Sequence, residues 1–294
     1  MARGWRLWAA LWIVYLVWGS TYLAIKVSVR TLPPLLSAGL RFLLAALILA
    51  GILVAVGASL RVPVRQALAA GGLGIALLTL GVGVVTLAET RIDSSVAAMI
   101  AGSVPLQVIA MRTASRERVA SATRISAAVG ISGLALIVVP EGVTGGSTAI
   151  GLTLMLAATV SWSTGSFVSR RLSLPADAFV TTFYEMLVGG AMLCVLALAV
   201  GEGRDVRVDA ISAQSIAAWS YLVVFGSLVG FSAYAWLLRN APISQVVTHQ
   251  YVNPLVAIAL GALLLGEKLT VTTALGALIV LAAVFATVRR ESRS

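Results

Sequence analysis

An all-α polytopic membrane protein, with ten transmembrane helices in two inverted five-helix repeats, is the fold class this sequence predicts. Three observations predict it. The chain of 294 residues is 60% hydrophobic and only 11% charged, where a soluble domain has about 45–50% apolar and about 25% charged residues. Its apolar residues fall into ten stretches of about the 20 residues that cross a bilayer core. Landmarks of the first five stretches recur, in order, in the second five.

The first stretch, 7–25, follows Arg3 and Arg6 and ends in Trp18-Gly19-Ser20-Thr21-Tyr22. A basic start before an apolar run mimics a signal peptide. No small-residue cleavage site follows, so it reads as a retained helix that also directs insertion. Stretch 33–56 opens on Pro33-Pro34 and carries Arg41, and 66–88 carries Gly81-x-Gly83. Stretch 94–111 is short and holds Pro105; 122–140 completes the first half. The glycine-rich run from Gly142 to Ser147 makes a linker, which divides the chain into repeats 1–141 and 149–294 with a connection at 142–148. In the second half, 149–169 holds Trp162-Ser163-Thr164-Gly165 and 178–200 holds Glu185. That stretch also carries Cys194, the single cysteine, so a disulfide within the chain and a cysteine metal cluster are both excluded. Stretch 213–237 carries Gly226-x-x-x-Gly230, 244–265 is the most polar, and 271–288 is the last.

Trp162-Ser163-Thr164-Gly165 follows Trp18-Gly19-Ser20-Thr21 at 144 residues, and Glu185 follows Arg41 at the same offset. Pro254 follows Pro105 at 149, and Glu267-Lys268-Leu269 follows Glu117-Arg118-Val119 at 150. Each half has an odd number of crossings, so the second copy enters from the opposite side. The result is a pseudo-two-fold axis in the membrane plane, with a binding site between the halves.

The net charge of +10 would suggest nucleic acid in a soluble protein. Here its placement decides otherwise. With ten crossings, Arg3, Arg6, Arg112, Arg170, Arg171 and Arg239 fall on one side with few acids. Lys26, Arg30 and Arg91 on the other are balanced by Glu89, Asp93 and Glu202. The Lys/Arg excess marks the cytoplasmic face, which puts both termini in the cytoplasm and leaves nucleic acid out.

Small and polar residues point inward. Glycines let helices approach closely in lipid; Gly226 and Gly230 serve packing, and bare backbone there also lines a cavity and permits rocking. Pro105 and Pro254 each interrupt a helix and free a carbonyl, as structural bends or as kinks beside a midplane site. The ninth stretch carries His249, Gln250, Tyr251 and Asn253, with His249 and Asn253 on one face. His249, the single histidine, suits proton transfer and equally a packed, hydrogen-bonded role. Arg41 and Glu185 are intramembrane charges. They are candidates for a cross-repeat ion pair or for proton coupling, or Arg41 snorkels to a water boundary. Trp18, Tyr22, Trp162, Phe231 and Tyr251 offer ring faces to an apolar or cationic ligand, whereas Trp5, Trp8, Trp12 and Trp219 read as interface anchors. No phosphate loop and no H-E-x-x-H motif exist. No metal and no cofactor is expected.

Trp18-Gly19-Ser20-Thr21-Tyr22, Pro33-Pro34, Arg41-Phe42, Tyr251-Val252-Asn253-Pro254 and Gly266-Glu267-Lys268-Leu269 together resemble EamA-type members of the drug/metabolite transporter superfamily. The resemblance spans the chain; its one departure is Arg116-Glu117-Arg118-Val119, which lacks the glycine. It implies ten helices with cytoplasmic termini and export of amino acids or other small metabolites from a bacterial inner membrane, with the YddG-like amino-acid exporters as the functional model.

The sequence therefore predicts a secondary carrier working by alternating access as a single chain among lipids. Helices 1, 3, 4, 6, 8 and 9 would line its cavity, and 5 and 10 would stand outside. Trp18, Tyr22, Trp162, Phe231, His249, Tyr251 and Asn253 would meet the substrate. Polar groups would hold its amino and carboxyl ends, and aromatic walls its side chain. A sugar-phosphate or nucleotide-sugar exchanger would need cavity cations, for which Arg41 is the one candidate. A membrane-embedded enzyme would need a nucleophile–base set, and a scaffold would need docking loops; neither is visible.

Overall fold

Backbone hydrogen bonds have no water to turn to in lipid, so a spanning chain must satisfy them within helices. The computed structural model follows that rule. It describes residues 2–92, 97, 100–138, 149–202, 208–265 and 271–291, and among them every regular element is helical. In chain order these are α1 (Ala2–Ser28), α2 (Pro34–Ala55), α3 (Val64–Ala88), α4 (Val104–Ala114) and α5 (Ser121–Val138). They continue as α6 (Ala149–Arg171), α7 (Ala178–Ala199), α8 (Ala213–Asn240), α9 (His249–Leu265) and α10 (Val271–Glu291). Among the described residues, six helices are long and apolar enough to cross a membrane: α1 from Gly4, α2, α3, α6, α7 and α8. The linker at 142–148 and the Gly266-Glu267-Lys268-Leu269 motif lie outside the described residues.

Helix starts follow local chemistry. Pro34 begins α2, where a missing N–H costs nothing. The Asp177 carboxylate accepts from Phe179 N at 2.7 Å to open α7, and Ser212 accepts from Ser215 N to open α8. Glu202 accepts from Leu35 N and Leu36 N at 3.2 and 2.9 Å, placing a carboxylate at the positive end of α2.

Burial is inverted relative to a soluble protein. Leu44, Leu47, Val54, Leu156 and Val195 are exposed, whereas Arg41, Glu185, Gln245, His249 and Asn253 are buried. Such an exterior needs lipid, and such an interior needs partners or a ligand.

The helices pack in a pattern that repeats when five is added to each label. α1 lies on α8 and α9; α6 lies on α3 and α4. α2 touches α8, and α7 touches α3. Two pairs are self-related: α2 runs against α7, and α5 against α10. Close approach of α2 and α7 depends on absent side chains. A Cβ at Gly39 would stand 2.9 Å from Gly190 O, and one at Gly190 would stand 3.0 Å from Gly39 O.

α3 and α8 each contain a widened stretch, π-helical over Ile75–Gly83 and over Leu222–Val229. Long runs of this kind are rare and collect at functional places. Side chains of neighbouring helices donate to carbonyls within both: Ser161 Oγ to Ala76 O at 2.9 Å, and Trp18 Nε1 to Gly226 O at 3.0 Å.

Pro105 corrects one expectation. It does not bend a continuous helix. The chain turns at Gly102–Ser103 and α4 begins afresh at Val104, which puts Pro105 in its first turn, where no intrahelical bond is lost. Pro254 does lie inside α9. The chain enters α9 through a four-residue helical turn, Ile243–Val246, and a bend at Val247–Thr248.

Candidate functional site

A cavity of about 90 Å³ lies where α1, α3, α6, α8 and α9 converge. Its floor is aromatic. Trp18 stands edge-on to Trp162, with ring centroids 5.3 Å apart, and packs at 4.9 Å from both Phe231 and Tyr234. Such tilted and edge-to-face pairs suit the ring quadrupoles. The two tryptophans are set by glycines of α3 and α8. The Trp162 ring lies against Gly81, where a Cβ would stand 3.0 Å from it, and the Trp18 ring lies against Gly230 still more closely. A side chain at either glycine would push a tryptophan into the cavity or out of it.

One face of α9 supplies the polar wall. His249, Gln250 and Asn253 all line the cavity and are all buried. His249 Nδ1 lies 2.9 Å from Val246 O. A carbonyl only accepts, so Nδ1 carries the proton and Nε2 of the neutral ring presents a lone pair. That Nε2 has no partner, nor have Gln250 Oε1 and Asn253 Oδ1. The Asn253 side chain also reaches Tyr22, which lines the same cavity. Thr159 joins from α6, held with Ser163 by Gln107 of α4: Gln107 Nε2 donates to Thr159 Oγ1 at 3.1 Å, and Ser163 Oγ donates to Gln107 Oε1 at 2.7 Å.

Of the seven residues expected at the substrate, the structure brings together six: Trp18, Tyr22, Trp162, Phe231, His249 and Asn253. Tyr251 is placed elsewhere. Its hydroxyl donates to Ala127 O at 3.0 Å, and its ring rests on Gly130 of α5. It stands between Gln250 and Asn253 in sequence but lies round the helix from them. Gly226 lines the cavity too, whereas Gly230 acts on it through Trp18. Helix α2, absent from the expected lining, contributes Arg41.

Arg41 and Glu185 form no ion pair, which corrects the cross-repeat pairing. Arg41 faces the aromatic cavity, whereas Glu185 faces a second cavity, of about 300 Å³, beside Arg170 and Arg239. Equivalent positions in two halves of opposite direction need not face one another. Arg41 does not snorkel either: it is 5% exposed, with its guanidinium carbon 4.3 Å from the Phe42 ring centroid. Sequence reasoning counted Glu89 only as a balancing charge. One residue past the end of α3, it is buried with both carboxylate oxygens unpaired, and only its burial could have singled it out.

On one side of the cavity the bundle is closed by contacts between the halves. Tyr15 and Thr248 hydroxyls meet across the halves at 2.7 Å, and within the second half those of Ser166 and Tyr234 meet at 2.5 Å. Farther along, Glu117 joins Arg112 at 3.1 Å and also Arg171, and Arg112 reaches Ser244. The carboxylate is 38% exposed, and exposed ion pairs contribute about 0.2–1 kcal/mol each. Glu117→Gln is therefore expected to lower stability by only about 1 kcal/mol. A thermal-unfolding shift of the purified protein measures it, and complete loss of folded protein would contradict that account.

An apolar exterior, a polar interior and an aromatic-walled cavity between two similarly packed halves define a membrane transporter. The model of the EamA-like transporter family matches the chain twice, over residues 6–139 and 149–289, and the chain belongs to that family. A relative called uncharacterized inner membrane transporter YedA, from Escherichia coli (strain K12), is 34% identical over 266 residues, 90% of this chain and 84% of that protein. A probable amino-acid metabolite efflux pump of the same strain is 26% identical over 287 residues, 93% of this chain and 91% of that protein. A solved structure described as a crystal structure of protein superposes with a TM-score of 0.77 at 18% identity, covering 97% of both chains, which supports the fold.

Proposed function

We propose that this transporter exports amino acids, with aromatic or other apolar side chains preferred, or closely related metabolites from a bacterial inner membrane. Ten helices in two inverted repeats, 1–141 and 149–294, would carry out alternating access, with both termini in the cytoplasm and one chain as the working unit. The observation that carries this reading is the cavity itself. It sets an aromatic box of Trp18, Trp162 and Phe231 beside the polar face of α9. A box of rings suits an apolar side chain, and unpaired polar groups suit the charged ends. The packing that repeats on adding five to each helix label supports two halves that exchange roles. A relative named a probable amino-acid metabolite efflux pump supports the substrate class.

The test is transport of radiolabelled amino acids by the purified protein in liposomes, with and without a pH gradient. Saturable movement of phenylalanine or leucine above empty liposomes is expected. Trp162→Ala removes one wall and is expected to cut that transport about tenfold or more, as for a buried aromatic anchor, while the protein still elutes as a folded species. Transport at the unsubstituted rate would remove Trp162 from the site. A second reading, exchange of phosphorylated sugars, rests on Arg41 as a cavity cation. The same liposomes loaded with inorganic phosphate or a hexose phosphate test it.

A further inference from the structure

We propose that the cavity recognises both charged ends of an α-amino-acid zwitterion, with Arg41 binding the carboxylate and His249, Gln250 and Asn253 binding the ammonium. This rests on the amino-acid reading above and deepens it. It moves Arg41 from a coupling group to a specificity determinant.

Three observations carry the inference. First, Arg41 lines the cavity and is buried, yet its Nε has no hydrogen-bond partner and no carboxylate pairs with it among the described residues. A buried guanidinium without an anion is strongly disfavoured, and the Phe42 ring face compensates only in part. An arriving carboxylate would supply the missing charge, and the guanidinium fork matches it in two parallel hydrogen bonds. Second, α9 holds three buried acceptors without a partner: His249 Nε2, Gln250 Oε1 and Asn253 Oδ1. An ammonium carries three donors and no acceptor, which is the complement of that set. Third, both sets line one cavity, of about 90 Å³. Beside them stand Trp18, Trp162 and Phe231, with Val82 and Val85, as the apolar remainder.

The chemistry predicts discrimination between three probes that share one ring. Phenylalanine carries both charged ends, phenethylamine lacks the carboxylate, and 3-phenylpropionate lacks the ammonium. The unsubstituted protein in liposomes is expected to move phenylalanine at least tenfold faster than either analogue. Arg41→Gln is expected to lose phenylalanine transport about tenfold while phenethylamine transport is unchanged or raised. Asn253→Leu is expected to narrow the preference over 3-phenylpropionate instead. Arg41→Lys keeps the charge but not the fork. It serves if Arg41→Gln does not fold, and should retain part of the preference for phenylalanine over phenethylamine. Stabilisation of each purified variant by each probe, read as a thermal shift, should follow the same order. An Arg41→Gln protein, or an Arg41→Lys protein in its place, that discriminates phenylalanine from phenethylamine as the unsubstituted one does overturns this inference and leaves the amino-acid reading standing. An unsubstituted protein that moves no amino acid overturns both.

Discussion

Gly230→Ala is expected to reduce transport about tenfold or more while leaving the protein in the membrane and folded. The added methyl would fall on the five-membered ring of Trp18, with Cδ1 2.9 Å away and Nε1 nearer. The indole can shift only by giving up its present contacts or by entering the cavity. It is held by its hydrogen bond to Gly226 O and by Trp162, Phe231, Tyr234 and His249 around it. Overpacking of a filled interior costs about 1–3 kcal/mol. Here the displaced group is a wall of the cavity, so the cost should appear as lost substrate binding rather than as unfolding. Trp18→Leu in the same protein removes the ring that clashes. It should restore part of the transport if crowding is the cause. Transport by Gly230→Ala at the unsubstituted rate would show that Trp18 is free to move.

Gly74→Val is expected to have the opposite signature, loss of the folded protein before any question of transport arises. A Cβ at Gly74 would fall on the backbone of Glu185 in α7, with Cα at 2.7 Å and the carbonyl carbon at 2.8 Å. From the other side, a Cβ at Gly189 would stand 2.7 Å from Gly74 O, so the two backbones already touch. Backbone cannot rotate aside as a side chain can, and the whole α3–α7 seam would have to open. The penalty should reach or exceed the upper end of the overpacking range, about 3 kcal/mol. Fluorescence-detected size exclusion and thermal unfolding in detergent measure it. Gly72→Val is the control, because nothing stands within 4 Å of a Cβ there. Equal stability of the two variants would refute the seam.

Much of this arrangement was legible in the sequence, because periodicity and repetition are local records. Trp18 and Trp162 share a motif and an offset, and the structure brings the two rings together. His249 and Asn253 share a face at helical spacing and line one cavity. Tyr251 shows the limit: composition made it one of a polar run, but only its angle around α9 decides what it faces, and it faces α5. Pro105 shows another. Proline marks an interruption, but whether the chain bends or stops and restarts depends on where the preceding helix ends. Arg41 and Glu185 were found as charges, yet the pairing drawn from their matching positions fails because each faces a different cavity. Glu89 and the Gln107–Thr159–Ser163 network are contacts between distant segments, which no window of sequence contains.

Among the described residues, the widened turns in α3 and α8 give these two helices a property the others lack. In an ordinary α-helix, rotating one end against the other breaks hydrogen bonds outright. In the stretches Ile75–Gly83 and Leu222–Val229 the ladder already runs one residue long, so an amide N–H could pass from one carbonyl to the neighbouring one and back again. Each stretch would thus allow a one-residue step beside the place where Gly81 and Gly226 meet the cavity. The tryptophans seated on α3 and α8 would be carried with each step. Torsion in the backbone would then alter the width of the chamber without any helix having to unfold.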